Sequence, residues 1–180
     1  MLRMERIYTQ FCQWCIMERL SAVFAGYPSQ EDVARLMLRL GISVKDGKAY
    51  CESVEMSDAA LGRAAGTDRR VVRSAIDRIV KDRELSKFFC GLRPIALLSD
   101  VAQQIGCSTL VIYPTDASIP GILADVSAIT LAAGISIRQA VIDDPDGKSP
   151  HLLIVMDGTL PPEFIPSLKQ CRGVASIVLR

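Results

Sequence analysis

The chain has 180 residues, 49% hydrophobic and 23% charged, so it is too apolar for disorder and long enough for one large domain or two small ones. Its 21 Lys+Arg against 20 Asp+Glu leave a net charge of +1, which excludes a polycation. A single histidine, His151, excludes a multi-histidine metal centre, and six irregularly spaced cysteines are too few for a disulfide framework.

Charges at Arg3, Glu5 and Arg6 leave no room for an apolar signal core, and no apolar run approaches the roughly 20 residues that span a bilayer. The reading is a cytoplasmic protein with reduced thiols and no membrane partner. Ile7, Phe11, Trp14, Cys15, Leu20 and Phe24 then mark an amphipathic helix over Met4 to Phe24, broken by Gly26, Tyr27 and Pro28. Ser29 is the expected N-cap of a second helix that buries Val33, Leu36, Met37 and Leu40 and stops at Gly41. Asp46-Gly47 between two alternating runs predicts a hairpin over residues 42–45 and 48–52, because type I′ turns need positive φ.

Residues 57–82 carry the strongest pattern of the first half. Ser57 or Asp58 caps a short helix over Ala59 to Ala65, Gly66 ends it, and Thr67 or Asp68 caps another running to about Asp82. Two helices joined by a short glycine-containing turn form a helix-turn-helix, with Gly62 small enough for the crossing. Val72, Ala75, Ile76 and Ile79 make the buried stripe; Arg69, Arg70, Arg73 and Asp77 lie opposite. Arginines at a helix N-terminus oppose the dipole, a cost that contact with base edges and phosphates explains. Thr67, Arg69, Arg70 and Arg73 are therefore the expected DNA contacts, with an ordinary helical hairpin as the bland alternative. Cys12, Cys15, Cys51 and Cys90 number enough for zinc or an iron–sulfur cluster. Two of them lie within a helix beside core positions, though, and the others lack partners at ligand spacing, so no metal and no cofactor is expected.

Phe88 to Pro94 breaks the helical pattern, and Ile95, Leu98, Ala102 and Ile105 predict a connector helix over 94–106. The elements then run strand (Thr109 to Tyr113), helix opened by Pro120 and stopped by Gly134, strand (Ile135 to Ile142), and strand (Leu152 to Met156). A helix opened by Pro161 and Pro162 and a last strand (Val174 to Leu179) complete the series. Asp143, Asp144 and Asp146 read as a solvated turn. The order βαββαβ is the ferredoxin-like split βαβ unit, with helices on one face of an antiparallel sheet. The fold class is α+β, with a helical helix-turn-helix-like domain over 1–93, the connector, and a second domain over 107–180.

Charge separates the halves. Residues 1–95 hold 16 Lys+Arg and 12 Asp+Glu, net +4, whereas residues 96–180 hold 5 and 8, net −3. The basic excess sits within 58–93, nine against five, the footprint expected for nucleic acid. Only 13 of the last 85 residues are charged, which suggests a surface hidden in a partner or a second copy.

The stretch from Asp116 through Pro120, Gly121, Ile122 and Leu123 to Val126, followed by Ala133-Gly134-Ile135-Ser136-Ile137, resembles the ACT domain, with a loop two residues longer than the common form. The whole chain is similar to an archaeal family described as predicted regulators of amino-acid metabolism containing an ACT domain. Tyr27 to Gln30, Gly47 to Cys51, Asp68 to Val72 and Gly134 to Ala140 carry that match. The resemblance implies a homodimer through the ACT domain and a small effector, an amino acid. Asp116, Ile119, Gly121 and Ile122 are the expected ligand contacts: free amides at Gly121 and Ile122 suit a carboxylate and Asp116 an ammonium. Arg138 is either a carboxylate partner or a surface charge. The expected protein is a DNA-binding, effector-responsive transcription regulator. The alternative is a regulatory subunit whose helical half docks a metabolic enzyme. No nucleophile–base pair or phosphate-binding glycine loop points to an enzyme.

Overall fold

A computed structural model of the chain describes residues 13–117, 119–143 and 150–180. It divides into two units, Met1–Ile95 and Ala96–Arg180, and belongs to the α+β class with one antiparallel sheet in each. Among the described residues no helix is long and apolar enough to cross a membrane.

The first helix among the described residues of the N-terminal unit is α1 (Gln13–Val23), whose Leu20 joins Phe24 in the core; Ile7 and Phe11 lie outside the described residues. Helix α2 (Pro28–Arg39) begins one residue before the expected cap. Pro28 presets φ and lacks only an N–H that the first turn cannot use, so Ser29 falls inside the helix and Tyr27 stands at the N-cap without a side-chain bond. Leu40, expected to be buried, lies past the last turn and is exposed, while Ala34 takes a core place. Gly41, at φ +64°, lets the chain pass close: a Cβ there would lie 2.5 Å from the Arg93 carbonyl oxygen.

The expected hairpin forms as β1 (Ser43–Lys45) and β2 (Lys48–Cys51), with Asp46 and Gly47 at positive φ. A third strand, β3 (Val54–Met56), extends it through a turn in which Glu52 takes φ +56°. Helices α3 (Asp58–Ala64) and α4 (Arg69–Lys81) follow. The break expected over Phe88 to Pro94 begins only after Gly91, because Arg83–Gly91 form a further helix, α5. Asp82 starts it by accepting the amides of Glu84 and Leu85, and Leu85 and Phe89, four apart, bury its inner face.

The predicted helix over 94–106 does not form: residues 92–98 take no regular secondary structure, and only Ala102–Ile105 turn into a 3₁₀ helix. The cause is Gln139. Its carboxamide accepts the Leu98 amide and donates to the Ala96 carbonyl, both at 2.9 Å, taking backbone groups a helix would need. Leu98 and Ala102 then pack on Cys107, Leu153 and Val155.

Strand β4 (Cys107–Pro114), α6 (Ile122–Ala132), β5 (Ile137–Asp143), β6 (His151–Asp157), α7 (Ile165–Gln170, entered through a 3₁₀ turn) and β7 (Val174–Leu179) complete the C-terminal unit. The sheet order is β5-β6-β4-β7, every neighbour antiparallel, so each helical connection skips a strand. Leu110, Ile112, Ile154 and Met156 face Val126 of α6 and Leu168 of α7. On the opposite face the residues around Leu98 and Ala102 cover one end, while Tyr113 and Val178 stay partly exposed. Helix α6 starts later than expected: Gly121, at φ +97°, is its N-cap, so Pro120 lies in the preceding turn. Asp144 and Asp146 lie outside the described residues.

Candidate functional site

In the N-terminal unit the geometry centres on the α3–α4 turn. Ser57 Oγ accepts the Ala60 amide and starts α3; the Asp68 carboxylate accepts the Arg70 amide at 2.8 Å and starts α4. The Thr67 amide donates to the Gly62 carbonyl at 2.8 Å, and Gly66 turns the chain at φ +64°. Leu61, Val72, Ala75, Ile76 and Ile79 are buried.

The other face of α4 carries Arg69, Arg70, Arg73 and Asp77, all exposed. The first turn of α4 holds no acidic residue within the helix, so two guanidiniums stand at its positive end against the dipole. Among the described residues the side chains of Arg69 and Arg70 make no hydrogen bond or ion pair, and exposed Arg63 on α3 likewise makes none. Arg73 differs. Its Nε and Nη2 donate to Asp58 Oδ2 at 2.9 and 2.7 Å, and its Nη1 donates to the Gly47 carbonyl at 2.6 Å. Arg78, one turn further, is stacked 3.8 Å over the Tyr27 ring and donates to Gln30.

In the C-terminal unit the loop from Thr115 to Gly121 joins β4 to α6. The Thr115 amide donates to the Gly173 carbonyl, tying the loop to the turn before β7. Ile119 and Ile122 both reach Gly173, where a Cβ would lie 3.1 Å from Ile122 Cδ1 and 3.3 Å from Ile119 Cδ1. Their side chains thus anchor the loop. Asp116 is exposed at its start, and the first-turn amides of α6 have no intrahelical acceptor. Arg172 is a residue the sequence reading missed. Its Nη2 stands 3.4 Å from where a Cβ of Gly121 would be, so a guanidinium lies beside the start of α6. No local pattern reveals this, because Arg172 comes from the turn before β7.

Arg138 is not part of that cluster. Its Nε donates to Asp157 Oδ1 at 2.8 Å, and the Cys107 thiol donates to the same oxygen at 3.4 Å. Cys107 opens β4 and Asp116 follows its far end, so the two groups lie at opposite ends of an eight-residue strand, about 25 Å apart at a rise near 3.4 Å per residue. Burial first, then the bond to Asp157, pushes the Cys107 thiol up and keeps it protonated. The bonds from Arg138 and Cys107 hold the Asp157 carboxyl below its ordinary value.

Cys51 is half-buried and Cys90 exposed, while the side chains of Cys12 and Cys15 lie outside the described residues. Among the described residues no three His, Cys, Asp or Glu side chains come together as a metal centre. No protein-family model and no curated protein matches the chain.

Proposed function

We propose that the chain is a dimeric transcription regulator that binds double-stranded DNA through α3 and α4 and responds to an amino acid held by the loop before α6. The observation that carries the reading is the pair Arg69 and Arg70. Two exposed guanidiniums stand at the N-terminus of a helix, against its dipole and without a partner among the described residues. Anionic DNA supplies the missing charge. The close approach of α3 and α4 at Gly62 supports reading the pair as a helix-turn-helix, a motif in which the N-terminal residues of the second helix meet base edges in the major groove.

The likeness of residues 108–180 to ACT domains, and the βαββαβ order, support the sensing half. Asp116 offers a carboxylate for an ammonium; Arg172 and the first amides of α6 offer donors for a carboxylate. A ligand there acts by shifting the spacing of two recognition helices, which must reach half-sites about 34 Å apart.

The experiment is titration of fluorescent genomic duplexes at several salt concentrations, with and without amino acids. Binding should weaken steeply with salt and change when the effector is added. The effector should also raise thermal stability, by about 2.7 kcal/mol at 100 times its dissociation constant. Salt-independent or absent DNA binding sinks the reading; amino-acid stabilisation without DNA binding would favour a regulatory subunit docked on an enzyme.

A further inference from the structure

We infer that Arg73 is a positioning residue that locks α4 against the hairpin and the first turn of α3, leaving the charge contacts with DNA to Arg69 and Arg70. The inference rests on the DNA-binding reading. From sequence, the three arginines form one group on one face. In the structure only Arg73 is committed: all three nitrogens of its guanidinium donate, two to Asp58 Oδ2 and one to the Gly47 carbonyl. One side chain therefore joins three elements, reaching 15 residues back to Asp58 and 26 back to Gly47.

Each partner is itself fixed. Asp58 sits in the first turn of α3, beside the Ser57 cap. Gly47 is the second residue of a two-residue turn in which Asp46 takes φ +50° and Gly47 φ +70°. The planar fork of an arginine suits such a site, whereas an ammonium cannot span both acceptors in the same geometry. Charge argues the same way. Asp58 already neutralises Arg73, so a phosphate approaching Arg73 would be repelled by the adjacent carboxylate. The neighbouring strands offer no basic surplus: Lys45 and Lys48 stand against Asp46, Glu52 and Glu55, and Lys48 pairs with Glu55 at 2.8 Å.

The test uses the full chain with Arg69→Ala, Arg73→Ala, Arg73→Lys and Asp58→Asn, reading affinity for duplex DNA against salt. Each lost phosphate contact flattens the slope of log affinity on log salt by about 0.9. Arg69→Ala should show that change. Arg73→Ala should weaken binding several-fold at every salt concentration with the slope intact, and both Arg73→Lys and Asp58→Asn should reproduce it. The inference is overturned if Arg73→Ala flattens the slope, if Arg73→Lys binds like the parent, or if Asp58→Asn binds more tightly. Melting without DNA reads the clamp separately: Arg73→Ala combined with Asp58→Asn should melt no lower than the worse single variant, and additive losses overturn it. A parent chain without salt-dependent binding would defeat the DNA reading and Arg73's part in it, whatever the melting cycle shows, so the two failures are distinguishable.

Discussion

Gly62 and Thr67 meet backbone to backbone across the turn between α3 and α4: the Thr67 amide donates to the Gly62 carbonyl at 2.8 Å, and a Cβ on Gly62 would fall 2.8 Å from the Thr67 carbonyl oxygen. Neither group can rotate away, so the approach of the two helices depends on the missing side chain. Gly62→Ala should cost about 1–3 kcal/mol, the usual penalty for forcing volume into a packed contact. Gly91, at the end of α5, has open space where its Cβ would go and no positive φ, so Gly91→Ala should be neutral or stabilise by about 0.4–1 kcal/mol. Urea unfolding of the two variants checks the contrast; equal stabilities would mean the crossing is looser than described.

Asp82 should make the N-terminal unit acid-sensitive. Burial opposes its charge, but the Arg19 hydrogen bond at 2.6 Å and the amides of Leu85 and Glu84 outweigh it and hold the carboxyl below its ordinary 3.8. The native state then binds fewer protons than the unfolded chain in this range. The contribution is fully present above 3.8 and is lost as pH falls through the lowered native value. Asp82→Asn should remove that part of the pH dependence while keeping a side-chain cap for α5. Urea midpoints between pH 5 and about 2.5 test this, and parallel curves for parent and variant would contradict it.

Asp116 and Arg172 should part an amino acid into its two charges. Asp116→Ala removes the partner of an ammonium, a contact worth about 1.5–3 kcal/mol, so amino-acid affinity should fall roughly tenfold to a hundredfold. A simple carboxylic acid should bind the parent and this variant equally. Arg172→Ala should weaken both ligands. Calorimetric titration decides it, and unchanged affinity in a folded Asp116→Ala variant would put the ligand elsewhere.

Strand β7 should lie at or near a contact between copies. It is an edge strand, and Val174–Leu179 contains no charge and no proline, the devices that normally protect a free edge. Val178, part-exposed on the face away from α6 and α7, extends that apolar surface. The full chain should sediment as a dimer at micromolar concentration, and Val178→Lys should shift it towards monomer. A parent chain that runs as a clean monomer removes the dimeric regulator.

Local patterns were enough wherever an element is set by its own residues. Asp46-Gly47 announced the hairpin because type I′ geometry needs positive φ, and Val72, Ala75, Ile76 and Ile79 announced the inner face of α4 because a helix repeats every 3.6 residues. The six residues Val174–Leu179 match the predicted last strand, an apolar run bounded by a glycine. What local pattern could not supply was any relation set by distant chain. The 94–106 stretch has helical spacing, yet Gln139, 41 residues on from Leu98, captures backbone groups at Leu98 and Ala96 that a helix would need. Arg69, Arg70 and Arg73 look alike in sequence, and only the arrival of Asp58 and the Gly47 carbonyl separates the third from the others. Arg138 and Arg172 find different neighbours for the same reason: strand order puts Arg138 beside Asp157 and brings Arg172 to Gly121. Periodicity and turn chemistry act over a few residues, so they are legible in sequence. Which charge finds which partner depends on how strands and helices are ordered in space, and that is decided only when the chain has folded.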